Sequence, residues 1–128
     1  MNALLLSAAT LAMLVAIIHS ALGEYTIFRR MRRGGIVPTN GGGVIGEGHV
    51  RIIWASWHIP SAFGIGLAAI LLHLAQPGTL QNVGPFIPSA IIVAMLLSSA
   101  LVFIATKAKH PGWAGLLGVA VLTWLAIE

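Results

Sequence analysis

The chain has 128 residues, of which 58% are hydrophobic and only 8% charged. Soluble domains carry about 25% charged residues, so this composition falls outside their class and into that of membrane proteins. Seven Lys and Arg against three Asp and Glu give a net charge of +4, but the basic residues flank apolar runs and read as topology signals, not as contacts to nucleic acid. With no cysteine, disulfides, thiolate metal sites and cysteine nucleophiles are excluded.

The first apolar run extends from Ala3 to Phe28, beyond the roughly 20 residues a spanning helix needs. It lacks the positive n-region of a signal peptide, and Arg29, Arg30, Arg32 and Arg33 follow as a stop-transfer cluster, so it reads as a retained span. On a helical projection, Ala9, Ala12, Ala16, His19 and Gly23 share one side, with Ser20 and Glu24 at its edge. Leu11, Leu14, Ile17, Ile18, Tyr25 and Phe28 occupy the other. Small residues mark the packed face of a membrane helix, which turns His19 toward protein.

The segment from Gly34 to Gly48 is glycine-rich and reads as a flexible linker. Gly41, Gly43 and Gly46 match G-x-G-x-x-G, but the fingerprint needs a preceding strand within a βαβ unit, and an arginine cluster precedes it here.

The second run, Ile52 to Leu74, has Arg51 at its start and repeats the pattern of the first. Arg51, Ala55, His58, Ala62, Ile65, Gly66, Ala69 and His73 share one side, with Trp54 beside them. Ala55, Ala62 and Ala69 recur every seven residues, the period of a left-handed helix pair. Ile53, Phe63, Leu67, Ile70 and Leu71 fall on the side assigned to lipid. Pro60 lacks a backbone donor and frees the Ser56 carbonyl, bending the helix near His58.

A third run covers Phe86 to Thr106, with Ala90, Ala94 and Ser98 as its packing stripe. A fourth, shorter run covers Trp113 to Ile127, with Gly112, Gly115 and Gly118 on its packing side. All seven basic residues lie between the first and second spans or between the third and fourth. The positive-inside rule therefore puts loops 29–51 and 107–112 in the cytoplasm and both termini outside. The expected fold is an all-α, integral membrane four-helix bundle of antiparallel up-down topology, a single domain in a bacterial cytoplasmic membrane. Trp54, Trp57, Trp113 and Trp124 lie near its boundaries as an aromatic belt.

Chemistry is signalled by His19 and His58, because an ionisable side chain at membrane depth is costly. His19 lies about two and a half turns from the cytoplasmic end of its span and His58 about two turns into the next, so antiparallel helices bring the imidazoles to similar heights. Glu24 and Arg51 meet below them as a rim ion pair. Three readings follow. The rings are interhelical packing contacts satisfied by each other or by Ser20, Ser56 or Ser61. They are paired ligands of haem b or a transition metal, with Glu24 and Arg51 contacting the cofactor's acidic groups. Or His and Glu form a proton or ion pathway.

A structural zinc site lacks its four ligands, and di-iron chemistry lacks its Glu-x-x-His pairs. No G-x-S-x-G elbow occurs, so no catalytic activity of the chain alone is expected. The favoured expectation is a haem- or metal-binding subunit of a membrane redox complex. The alternatives are a structural or accessory subunit and a small oligomeric channel or transporter with a His/Glu gate. The arrangement resembles, in architecture, the small haem-carrying membrane anchors of respiratory enzymes, without sharing a diagnostic motif. Expected partners are other membrane subunits or further copies of the chain, and anionic head groups near Arg29, Arg30, Arg32 and Arg33.

Overall fold

Asn2 starts the first helix. Its Oδ1 accepts hydrogen bonds from the Leu4 and Leu5 amides at 3.0 and 3.2 Å, capping orphan donors of the first turn. In the computed structural model, which describes residues 1–108 and 111–128 (the side chains of 105 and 106 excepted), α1 runs Ala3–Thr26, α2 Glu47–Leu74, α3 Thr79–Val83, α4 Phe86–Thr106 and α5 Gly112–Ile127. A 3-10 turn, Phe28–Met31, follows α1. Among the described residues there is no β-strand, only an isolated bridge between Gly41 and Ile45. The helices α1, α2 and α4 are long and apolar enough to cross a bilayer. At 16 residues, α5 is shorter.

The chain divides into two compact units. One comprises residues 1–15 and 64–128. Its core gathers Leu5, Ala8, Ala9 and Ala12 from α1, Ala68, Leu71 and Leu74 from α2, and Ile91 and Val119 from α4 and α5. The Asn2 amide donates to the Ala75 carbonyl at 2.8 Å and its side chain to the Ala126 carbonyl at 3.3 Å, fastening the start of α1 to the ends of α2 and α5. Gly115 and Gly118 bring α5 against α1: a Cβ on them would lie 2.7 Å from Val15 Cγ2 and 2.8 Å from Leu11 Cδ2. The glycine side expected of the fourth run is thus a packing surface. At the end of α4, Lys107 and Ala108 take positive φ, and the Ala108 amide returns to the Phe103 carbonyl at 2.9 Å, a Schellman closure. Ser99 Oγ then donates to the Trp113 carbonyl at 2.8 Å.

The second unit, residues 16–63, holds the α1 C-terminal half, the connecting segment and the α2 N-terminal half. The connection is built of specific contacts where a flexible linker is expected. The Thr39 and Asn40 amides both donate to the Met31 carbonyl, Arg32 Nε donates to the Ile36 carbonyl, and Arg33 donates to Asn40 Oδ1. Gly42 and Gly43 both adopt positive φ in the tight turn that follows, a geometry glycine enters without penalty.

Two helix faces depart from expectation. Along α2 the packed seam is Val50, Trp54, Trp57, Ser61, Gly64, Ala68, Leu71 and then Ala75, in strict four-three spacing, whereas Ala62, Ile65, Gly66, Ala69 and His73 are exposed. The heptad period is as expected but its phase lies one residue earlier, a rotation of about 100°. The alanine stripe offers few atoms for contact, and dispersion grows with the number of packed atoms, so the larger side chains set the face. In α4 the same offset runs the other way: Ile91, Met95 and Ser99 pack, while Ala90 and Ala94 are exposed. Leu71→Ala is therefore expected to lower stability by about 2–5 kcal/mol. Ala69→Leu should stay within about 0.5 kcal/mol of the parent. Denaturant unfolding of the two variants checks the phase directly.

Candidate functional site: a carboxylate–imidazole–hydroxyl chain

On α1, His19, Ser20, Gly23 and Glu24 project from two successive turns, and on α2, Trp54, Trp57, His58 and Ser61 do the same. Residues three or four apart share a helix face, so each set can converge on the other. Two linked clusters result.

The first is a clasp between His19 and Trp57. Their rings stack at 4.7 Å between centroids with planes 8° apart. His19 Nε2 lies 3.2 Å from the Trp57 carbonyl, and Trp57 Nε1 donates to the His19 carbonyl at 3.2 Å. A carbonyl only accepts, so His19 Nε2 carries the hydrogen. Gly23 is required beside it, because its missing side chain is the space the indole fills. Phe28 lies edge-on to the same indole at 5.9 Å and is fully buried. Helical projection places Phe28 on the lipid side, but α1 ends at Thr26 and the 3-10 turn swings the ring inward.

The second cluster is a chain of polar groups. Ser61 Oγ and Ser20 Oγ are 2.8 Å apart, and Ser20 Oγ is 2.7 Å from His58 Nδ1. Across the ring, His58 Nε2 faces Glu24 Oε2 at 3.7 Å, too long for a hydrogen bond, and this nitrogen is buried without another partner. Trp54 Nε1 donates to the same Oε2 at 3.2 Å. Glu24 Oε1 forms an ion pair with the Arg32 guanidinium, in a geometry that makes no directional hydrogen bond. Phe28 and Trp54 close over the imidazole at 6.0 and 4.9 Å.

Of the four residues singled out from sequence, Glu24 and His58 are brought together and His19 is placed beside them through Trp57. Arg51 is not: it is exposed and pairs with Glu47 at 2.6 Å. The expected Glu24–Arg51 pair is replaced because α2 begins at Glu47, not at residue 52, and so places Glu47 one turn before Arg51 on the same face. Arg32, returning after the 3-10 turn, takes Glu24 instead. Trp54 and Trp57, expected as belt residues, are the other additions; both indole N–H groups are spent inside the site.

The two histidines take different partners, and the Nε2 atom of each points at a protein group. Among the described residues no group of three or more His, Asp or Glu side chains converges to hold a metal ion. His49 and His73 are exposed, and His110 lies outside the described residues. The chain shows no match to a known family model, to a curated protein or to a solved structure.

Proposed function

We propose that the chain is a four-span protein of a cytoplasmic membrane, with both termini on the outer side, and that it moves protons through Glu24, His58, Ser20 and Ser61. The observation that carries this reading is the 3.7 Å approach of His58 Nε2 to the Glu24 carboxylate, with no other partner on that nitrogen. His58 is thereby set between a proton-accepting carboxylate on one side and a pair of hydroxyls on the other.

The chain supports two hydrogen-bond polarities. In one, His58 Nδ1–H donates to Ser20, Ser20 donates to Ser61, and Nε2 is bare toward Glu24. In the other, Ser61 donates to Ser20, Ser20 donates to Nδ1, and Nε2 carries the hydrogen. A proton arriving at Nε2 from Glu24 releases the Nδ1 proton to Ser20 Oγ, the Ser20 proton passes to Ser61 Oγ, and Ser61 gives its own hydroxyl proton to water, so that each oxygen again holds one proton. Reorientation of the hydroxyls and a proton shift on the imidazole restore the first polarity. Imidazole suits this step because one ring nitrogen accepts a proton while the other donates one, and His and Glu chains are the usual relay parts in membranes. Arg32 and Trp54 hold the carboxylate in position.

Haem or metal ligation by His19 and His58 would require His19 Nε2 to leave the Trp57 carbonyl and His58 Nε2 to turn from the Glu24 carboxylate, so the geometry favours the relay. The test is proton uptake by proteoliposomes after an imposed pH step. Uptake is expected to be lost in Glu24→Gln and His58→Gln. Uptake indifferent to both substitutions overturns the relay. A Soret band in the same preparation, removed by substituting either histidine, would establish a haem subunit instead.

A further inference from the structure

We infer that Arg29, Arg30 and Arg33 form a docking surface for the phosphate-bearing head groups of anionic phospholipids. The charge balance that supports this surface is independent of the proton relay. Three acidic residues occur in the chain, Glu24, Glu47 and Glu128. Glu24 is taken by Arg32 and Glu47 by Arg51. Among the described residues, no carboxylate lies within ion-pair distance of Arg29, Arg30 or Arg33. Three positive charges within five consecutive residues are therefore left without an acidic partner.

Their placement fits a membrane boundary. The apolar helix α1 ends at Thr26, and buried Phe28 anchors the 3-10 turn, leaving Arg29 and Arg30 exposed on it. The Arg29 guanidinium lies 5.5 Å over the ring of exposed Tyr25, pairing a cation with an aromatic of the type that settles at head-group level. Arg33 is steadied by Asn40 Oδ1 at 2.9 Å. Guanidinium presents paired donors that match phosphate oxygens, so lipid phosphate supplies the missing counter-charge in the geometry arginine prefers. The surface differs from the basic cluster read from sequence in one respect: Arg32 is withdrawn into the Glu24 site.

The experiment uses the full chain in vesicles of phosphatidylcholine containing a minor fraction of phosphatidylglycerol. Spin-labelled lipids of each type report selectivity at the protein surface. A preference for phosphatidylglycerol is expected that weakens with salt and drops roughly fivefold for each arginine removed as Arg29→Gln, Arg30→Gln and Arg33→Gln. Replacing the same three by lysine should retain most of the preference, which separates lost charge from lost folding. Arg51→Gln, which removes a paired cation, should leave it unchanged. An unaltered preference in the triple glutamine variant, or an equal loss in Arg51→Gln, overturns the inference. Displacement of the labelled lipid by excess soluble glycerol phosphate would assign the surface to a free phosphate ester and likewise overturn the lipid assignment.

Discussion

Gly23→Ala is expected to destabilise the protein by about 1–3 kcal/mol, the usual cost of overpacking, whereas Gly66→Ala is expected to be neutral or stabilising. Both glycines lie within apolar helices and on sides assigned to packing by composition. Their surroundings differ completely. A Cβ at Gly23 would enter the Trp57 indole, with Cε2 2.5 Å and Cδ1 2.6 Å away. The indole is no loose end, because it stacks on His19, meets Phe28 edge-on and donates to the His19 carbonyl. Relieving the overlap means moving that whole set, at about 1 kcal/mol more for the hydrogen bond lost. A Cβ at Gly66 meets nothing within 4 Å, and alanine gains up to about 1 kcal/mol of helix propensity over glycine. Opposite signs are thus expected in a denaturant titration followed by tryptophan fluorescence. Equal effects at the two glycines would show that the clasp does not hold the helices.

What the sequence makes legible here follows from which forces act over short range. The apolar runs are readable because lipid demands length and composition, and the observed α4 spans the expected run to the residue, whereas α1 stops two residues short of its run and α2 starts five residues before its own. The seven-residue period of α2 is readable too. Its phase is not, because the exposed alanines and the packed Trp54, Trp57 and Leu71 fall on adjacent faces, and composition favours the alanines while contact favours the larger groups. Phe28 escapes projection because helix geometry stops two residues before it. The ion pairs are unreadable for a related reason: five arginines compete for two nearby carboxylates, and the choice depends on where α2 starts and how the chain turns at Phe28.

His19 and His58 stand out in the sequence as ionisable residues within apolar runs, but their partners come from neighbours that sequence treats as ordinary. Ser20 and Trp57 are each adjacent in sequence to one histidine and bind the other. Antiparallel helices generate this crossover whenever consecutive residues face consecutive residues. It also divides the labour between the rings. His19 is committed to a carbonyl and an indole, which fixes the register of the two helices. His58 is then delivered between a carboxylate and a hydroxyl.

Ser20→Ala tests that division most sharply. Ser20 Oγ is the single atom joining His58 Nδ1 to Ser61 Oγ, so its removal breaks the chain while leaving Glu24, Arg32, Trp54 and the His19–Trp57 clasp intact. Proton uptake is expected to fall on the order of a hundredfold, the lower range for a positioned proton-transfer group. Stability should fall by about 1–3 kcal/mol from the polar atoms left without partners. Ser20→Thr keeps the hydroxyl and should recover uptake, whereas Ser20→Cys, with a weak donor, should recover little of it. The readout that separates relay from packing is the ratio of the two effects. A packing role predicts that uptake in Ser20→Ala returns when the protein is stabilised by lower temperature. A relay role predicts that uptake stays lost in fully folded protein.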